Sequence, residues 1–253
     1  MRVATFNILH GRSPVDDRVD VDRFAKAVHE LDADVLGLQE VDRNQPRSAN
    51  ADLTAVAADA MGADEHRFVA ALSGSPGATW IGATGEEQPD SAAYGIAFLS
   101  RYPVLSWEVI RLQGFPTKFP MKFKSTRMPV MVRDEPRVAV AAVVDTPHGE
   151  ITVVNTHLSF ITWWNARQLR MLMKALSDRS RPVLLLGDLN MAPDRAHAIT
   201  GMRPLATAPT FPAHEPREQI DHVLAAGSIP DPVHAQAHPL ALSDHQALSV
   251  DFA

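Results

Sequence analysis

Six short polar clusters hold the residue types with which this chain could do chemistry. They are Thr5-Phe6-Asn7, Leu38-Gln39-Glu40, Asn155-Thr156-His157-Leu158, Gly187-Asp188-Leu189-Asn190, Ile220-Asp221-His222 and Ser243-Asp244-His245. Apolar runs at 3–4, 35–36, 151–154 and 183–186 lead into four of them. Asp, Asn, Glu and His are poor strand formers and costly to bury, so their recurrence at strand ends predicts one shared polar pocket. Carboxylate and amide oxygens suit a hard cation, and imidazoles exchange protons near neutral pH. Metal-dependent hydrolysis of a phosphate ester is the chemistry this set predicts. Cysteine is absent, which excludes disulfides, thiolate metal sites and cysteine nucleophiles.

The elements that must position these groups alternate strand and helix at first. Residues 3–9 and 35–39 read as strands, and between them Asp20 or Asp22 can cap a helix with Phe24, Val28 and Leu31 on one face. Leu53, Val56, Ala57, Ala60 and Met61 make a second helical stripe, which Gly62 ends. Strands at 68–72, 93–100 and 104–112 follow, separated by Gly, Pro and polar turns. Two more, at 137–145 and 150–159, flank a short turn and predict an antiparallel hairpin. A helix capped by Thr162 then directs Leu169, Leu172, Met173 and Leu176 inward. The wholly apolar run 183–186 predicts a central strand, and short strands near 219–224 and 247–252 finish the chain. Mixed strand order with intervening helices predicts an α/β protein in which two sheets pack face to face, helices outside. No linker or low-complexity tract divides the chain, so residues 1–253 read as one domain, with 114–136 as an elaborated loop.

The order of the clusters is specific. Asn7 in T-F-N-I, Glu40 in L-Q-E, His157 in N-T-H-L, Asp188 and Asn190 in G-D-L-N, Asp221 in I-D-H, and Asp244 and His245 in S-D-H together resemble the endonuclease/exonuclease/phosphatase superfamily. That group includes DNase I, exonuclease III, neutral sphingomyelinases and inositol polyphosphate 5-phosphatases. The resemblance implies a four-layer α/β sandwich and Mg²⁺-dependent cleavage of phosphoester bonds, with Mn²⁺ as a possible substitute. It implies metal ligation by Asn7, Glu40 and Asp244. Asp188 would deprotonate or orient the attacking water, and Asn190 would hold that water and a phosphate oxygen. His157 would donate to the phosphate or its leaving oxygen, and Asp221 would set the tautomer of His245. Both His245 and Asp188 are candidates for the general base. Tyr94, in Tyr94-Gly95-Ile96-Ala97, and Arg137 would contact substrate, with Arg133 an equal claimant for the phosphate. His10 and His222 have weaker claims: the first borders Asn7 in sequence, and the second alternates away from Asp221 along a strand.

Composition narrows the partners. Hydrophobic residues make up 45% and charged residues 21%, ordinary for a soluble globular chain. The first residues carry no apolar stretch long enough for a signal peptide, and no window approaches the ~18 apolar residues of a membrane span. A cytoplasmic protein is therefore expected. A net charge of −6 argues against non-specific coating of nucleic acid.

Residues 111–137 run against that overall charge. Arg111, Lys118, Lys122, Lys124, Arg127, Arg133 and Arg137 oppose Asp134 and Glu135, seven positive charges against two negative. Phe115, Phe119, Met121, Phe123, Met128, Val130 and Met131 are interleaved among them. Such a mixture can grip single-stranded nucleic acid, rest as a peripheral contact on an anionic membrane, or simply combine core residues with a solvated cationic face. Trp163-Trp164 adds apolar bulk near the expected pocket mouth. The expected substrate is a phosphoester: a lipid headgroup or small phosphodiester, with DNA cleavage as the alternative. Nothing in the sequence calls for an obligate protein partner.

Overall fold

The computed structural model describes residues 1–121, 128–178 and 182–253. Lys122, Phe123, Lys124 and Arg127 of the basic segment lie outside the described residues. The first half of the chain forms β1 (Arg2–Asn7), β2 (Arg12–Ser13), β3 (Arg18–Val19), α1 (Val21–Leu31), β4 (Val35–Arg43) and α2 (Leu53–Met61). It continues through β5 (Glu65–Gly74), β6 (Trp80–Gly82), β7 (Ala93–Ser100) and β8 (Val104–Leu112). Then come β9 (Lys118–Met121), β10 (Val130–Arg133), β11 (Arg137–Thr146), β12 (Gly149–His157), α3 (Thr162–Ala175), β13 (Val183–Asp188) and α4 (Pro193–Thr200). The last strands are β14 (Arg203–Pro204), β15 (Asp221–Ala226), β16 (His234–His238) and β17 (Ala247–Asp251).

Two mixed sheets dominate. Seven strands run in the order β16-β17-β1-β4-β7-β5-β6, and six in the order β14-β15-β13-β12-β11-β8. Strand alternation explains why they stack. In β1, Val3 enters the core between the sheets, while Ala4 and Phe6 face α1 and α2. In β13, Leu184 and Leu186 face the other sheet, while Val183 and Leu185 pack beneath α3 and α4. A strand apolar at every position is thus buried on both faces. The outcome is the expected four-layer α/β sandwich.

Local signals acted largely as expected. The Asp20 side chain accepts from Arg23 N and caps α1, while Gly62, at φ 66°, closes α2. Thr162 does not cap α3: Ile161 holds that position without a side-chain bond, and Thr162 is the first helical residue. The described parts of 114–136 are not all loop, because β9 and β10 pair antiparallel within it. Among the described residues, no helix is long and apolar enough to cross a membrane.

Candidate active site

One edge of the sandwich collects the polar clusters, and strand direction explains how. β1 runs parallel to β4, and β12 runs parallel to β13, so Asn7, Glu40, His157 and Asp188 stand at or near carboxyl ends. The antiparallel neighbours β7, β11, β15 and β17 deliver Tyr94, Arg137, Asp221 and the Asp244-His245 pair from their amino ends. Glu40 reaches the pocket through a bulge. Gln39 pairs with Ile96 and Val41 with Gly95, leaving Glu40 as the extra residue at φ 56°. The left-handed backbone costs a non-glycine residue about 1–2 kcal/mol. In return Glu40 turns into the cavity while Val41 stays packed beneath the helices. The opposite strand needs Gly95, since a Cβ there would lie 2.0 Å from the Val69 carbonyl oxygen.

Asp188 is the hub. Its Oδ2 accepts from Asn7 Nδ2 at 3.0 Å and lies 3.6 Å from His157 Nε2 and 3.8 Å from His245 Nε2. Its Oδ1 accepts from Asn190 N at 2.9 Å. The two imidazoles stand just beyond direct contact, so a water or substrate oxygen at the hub can meet all three side chains. Burial, reinforced by the Asp221 charge, pushes the Asp188 carboxyl up to about 7.

The two histidines are held in opposite states. Arg137 Nη1 lies 3.3 Å from His157 Nδ1, and because guanidinium only donates, Nδ1 accepts; this favours the proton on Nε2, which faces Asp188 Oδ2 at 3.6 Å and has Asn190 Nδ2 at 3.4 Å. Burial, then the Arg137 charge, holds His157 well below the ordinary histidine range, so its Nε2–H is a neutral donor. His245 Nδ1 instead bonds Asp221 Oδ2 at 2.9 Å. Burial opposes its protonation most strongly, but Asp221, Asp188 and Asp244 together outweigh that and raise it to about 10. The same Asp221 oxygen accepts from Thr210 Oγ1 at 2.5 Å, while Asp221 Oδ1 is buried without a partner.

These groups line a cavity of about 650 Å³ shared by Glu40, Tyr94, Arg137, His157, Asp188, Asn190 and His245. Of the other residues expected in the site, Asn7 and Asp221 bond to this lining without being part of it, and Asp244 lies in the groove beside Phe211. Asn190, at φ 51°, donates through Nδ2 to Leu158 O at 3.0 Å rather than capping α4. His222 faces the other way and contacts Met191 O at 2.8 Å. His10 does not line the cavity. The β9–β10 hairpin forms one wall through Val132 and Arg133, and Phe160 lines it too. The Trp163-Trp164 pair stands off this cavity, around a separate hollow on α3.

The family model for the endonuclease/exonuclease/phosphatase family matches residues 4–245. The chain belongs to that family. Its members are metal-dependent phosphoric ester hydrolases, and this chain is an enzyme of that class. Among solved structures, an endonuclease/exonuclease/phosphatase from Beutenbergia cavernae is similar at TM-score 0.68 and 22% identity, over 99% of this chain and 70% of that one. Sphingomyelinase C from Streptomyces griseocarneus aligns at TM-score 0.63 and 17% identity, over 99% and 98% of the two chains. A mannosyl-6-phosphatase from Bacteroides thetaiotaomicron aligns at TM-score 0.62 and 15% identity, over 100% and 99%. At such identities these likenesses establish the shared fold. No curated protein sequence matches the chain.

A divalent cation, which the family uses, suits the donors present. Glu40, Asp188, Asp221, Asp244, Glu135 and Glu218 gather at this edge against the guanidinium groups of Arg133 and Arg137, so carboxylates outnumber the permanent cations among the described residues. Burial also pushes the Glu40 carboxyl up, and the neighbouring Asp244 adds to it. Two groupings can offer ligand atoms. Asp188, Asp221 and His245 have theirs within 4.8 Å of one another, but the bond to His245 and that from Thr210 already occupy Asp221 Oδ2. Glu40 has far freer oxygens, with Asn7 Nδ2 donating to Oε1 at 3.2 Å. Asn7 presents its amide nitrogen to Glu40 and Asp188, while its oxygen accepts from Leu9 N at 3.1 Å. To ligate, that amide must turn over.

Supporting residues outside the expected set complete the picture. Gln39 Nε2 donates to Asn155 Oδ1 at 2.7 Å, and Asn155 Nδ2 donates to Leu38 O and Ala97 O, tying the sheets together below the pocket. Ser243 Oγ donates to Asn7 O at 2.6 Å, and the Phe211 ring lies 5.0 Å from that of His245. Gln39, Asn155 and Ser243 stood inside the recognised clusters, so their positions were signalled. Thr210 and Phe211 belong to a loop with no such signature.

Proposed function

We propose that the chain is a Mg²⁺-dependent phosphodiesterase, with Mn²⁺ as a substitute, acting as a single catalytic domain on a phospholipid headgroup or small phosphorylated ester. The observation supporting this reading is the Asp188 hub, with Asn7 bonded to Oδ2 and two imidazole Nε2 atoms facing it. Glu40 and Asp244, with Asn7 turned over, would hold the cation. When bound, it would polarise the phosphoryl group and offset its charge.

Asp188 orients the attacking water through Oδ2. His245 exchanges a proton at Nε2, with Asp221 fixing its tautomer at Nδ1. Neutral His157 donates from Nε2 to a phosphoryl or leaving oxygen. Arg137 sets that tautomer and, with Tyr94, borders the phosphate, while Asn190 steadies the water. Placement and charge stabilisation of this kind are what in-line phosphoryl transfer requires.

Hydrolysis of bis-p-nitrophenyl phosphate tests the reading. It should need added Mg²⁺ or Mn²⁺, and His245→Ala and Asp188→Asn should each lower turnover by about 10²–10⁴ with circular dichroism unchanged. Activity that persists in both variants with metal chelated refutes it. The basic wall at Arg133 and Lys118 favours a nuclease as the second reading. A panel of plasmid DNA, oligonucleotides, sphingomyelin, phosphoinositides and inositol phosphates separates the two. Preferential DNA cleavage, weakening steeply with salt, would replace the lipid reading.

A further inference from the structure

Six of the eleven exposed large apolar side chains among the described residues gather on adjoining elements. Met128, Val130, Met131, Phe160, Trp163 and Met171 are 37–73% exposed, and all lie on the β9–β10 hairpin, on α3 or in the turn before α3. Ring contacts join these elements: Phe119 lies 5.8 Å from Phe160, and Phe115 lies 4.9 Å from Trp163. The outward side of α3 repeats at helical spacing, with Trp163, Arg167, Arg170, Met171 and Lys174 in one stripe. These residues and Trp164 surround a hollow that no carboxylate lines, and α3 contains no acidic residue. Exposed Lys118 and Arg133 continue the cationic margin onto the hairpin.

The same helix is anchored to the catalytic edge. Its buried face carries Asn165, whose Nδ2 donates to Asn190 O at 2.7 Å. Phe160, three residues before Trp163, lines the catalytic cavity together with Arg133. A surface seated on this stripe would therefore meet the cavity mouth as well.

We propose that the α3 stripe and the β9–β10 hairpin form a docking face for an anionic phospholipid bilayer. Trp163, Phe160 and the methionines enter the headgroup layer, while Arg167, Arg170 and Lys174 meet lipid phosphates. Charge complementarity is local, since the chain as a whole carries −6. Met128, Val130, Met131 and Met171 contribute little to stacking on bases, but they gain from leaving water at a lipid interface. A bilayer is therefore favoured over nucleic acid. That the ester presented to the cavity is a lipid rests on the catalytic reading above; the docking face itself does not.

Cosedimentation of the full chain with vesicles tests the face. Vesicles of phosphatidylcholine containing phosphatidylserine should bind the protein, and pure phosphatidylcholine should bind it far less. Raised salt should weaken the binding. The triple variant Arg167→Gln, Arg170→Gln, Lys174→Gln should lose about fivefold in affinity per charge removed, and Trp163→Ser should weaken it further. The triple variant should hydrolyse soluble bis-p-nitrophenyl phosphate at the unmodified rate. Absence of vesicle binding, undiminished binding by the variants, or variants that lose only oligonucleotide binding would overturn the proposal. A chain that binds vesicles through the stripe yet cleaves no phosphoester would remove the catalytic reading and uphold the face.

Discussion

The two sheets meet at the catalytic edge with different kinds of side chain in different states of restraint. On the six-stranded side, Arg137, His157, Asp188 and Asp221 each have a named partner that fixes an atom: His157 Nδ1 for Arg137, Asn190 N for Asp188, Thr210 Oγ1 for Asp221. On the seven-stranded side, His245 is fixed from across the gap by Asp221, whereas Glu40 has one side-chain hydrogen bond among the described residues, from Asn7, and sits on a bulge with left-handed backbone. The contrast between Glu40 and the other groups follows from the work each can do. A group that moves a proton must have its tautomer and direction set beforehand. A group that binds a cation must keep lone pairs unspent, and that leaves it poorly held until the cation arrives.

Substitutions that damage one side and spare the other can break this contrast. Asp188→Asn should have the largest effect, lowering kcat about 10³-fold at every metal concentration, because the hub loses its charge. Glu40→Gln should behave differently. The metal concentration for half activity should rise by about 10–100-fold, with turnover partly recovered at high metal. A metal titration of both variants decides; a Glu40→Gln enzyme crippled equally at all metal concentrations would erase the distinction. Asp221→Asn sharpens it further. Removing the charge that stabilises the imidazolium must lower the pKa of His245, which should fall from about 10 toward its ordinary ~6.5. Imidazole NMR on the metal-free protein reads this directly, and an unmoved resonance would show that Asp221 is not the controlling charge.

Much of this edge was legible in the sequence because its residues occupy strand ends, where period-two alternation and a fixed chain order are visible in the letters. Val183–Asp188 is the clearest case: an apolar run buried on both faces, ending in the hub. Three features were less visible. The bulge at Glu40 depends on a register shift against β7, which no local pattern encodes. β9 and β10 lie within a segment rich in Pro and charge that reads as loop until their pairing is seen. Thr210 and Phe211 become site residues only because a loop far from any motif folds back onto His245 and Asp221. Long-range packing, rather than propensity, placed all three.

Asn155 gives the smallest expected effect on turnover and connects the two sides. It belongs to the six-stranded sheet, yet its amide nitrogen donates to Leu38 O and Ala97 O in the other, and its oxygen accepts from Gln39. Gly37 leaves it room, since a Cβ there would approach its side chain to 2.8 Å. Asn155→Ala would remove the buried donor to Leu38 O and Ala97 O and one acceptor of Gln39 Nε2, which keeps Thr5 Oγ1 and Gly37 O, so unfolding free energy should drop by about 1–3 kcal/mol. Turnover should fall by less than about tenfold, because no reacting atom is touched and the two sides shift only relative to each other. Denaturant melts and a metal titration check this together. If stability falls while metal affinity and kcat stay fixed, the spacing between Glu40 on one sheet and Asp188 on the other is set by the apolar core alone. If both kinetic quantities move with stability, the buried amide tie helps set the gap across which the two sheets act on one ester.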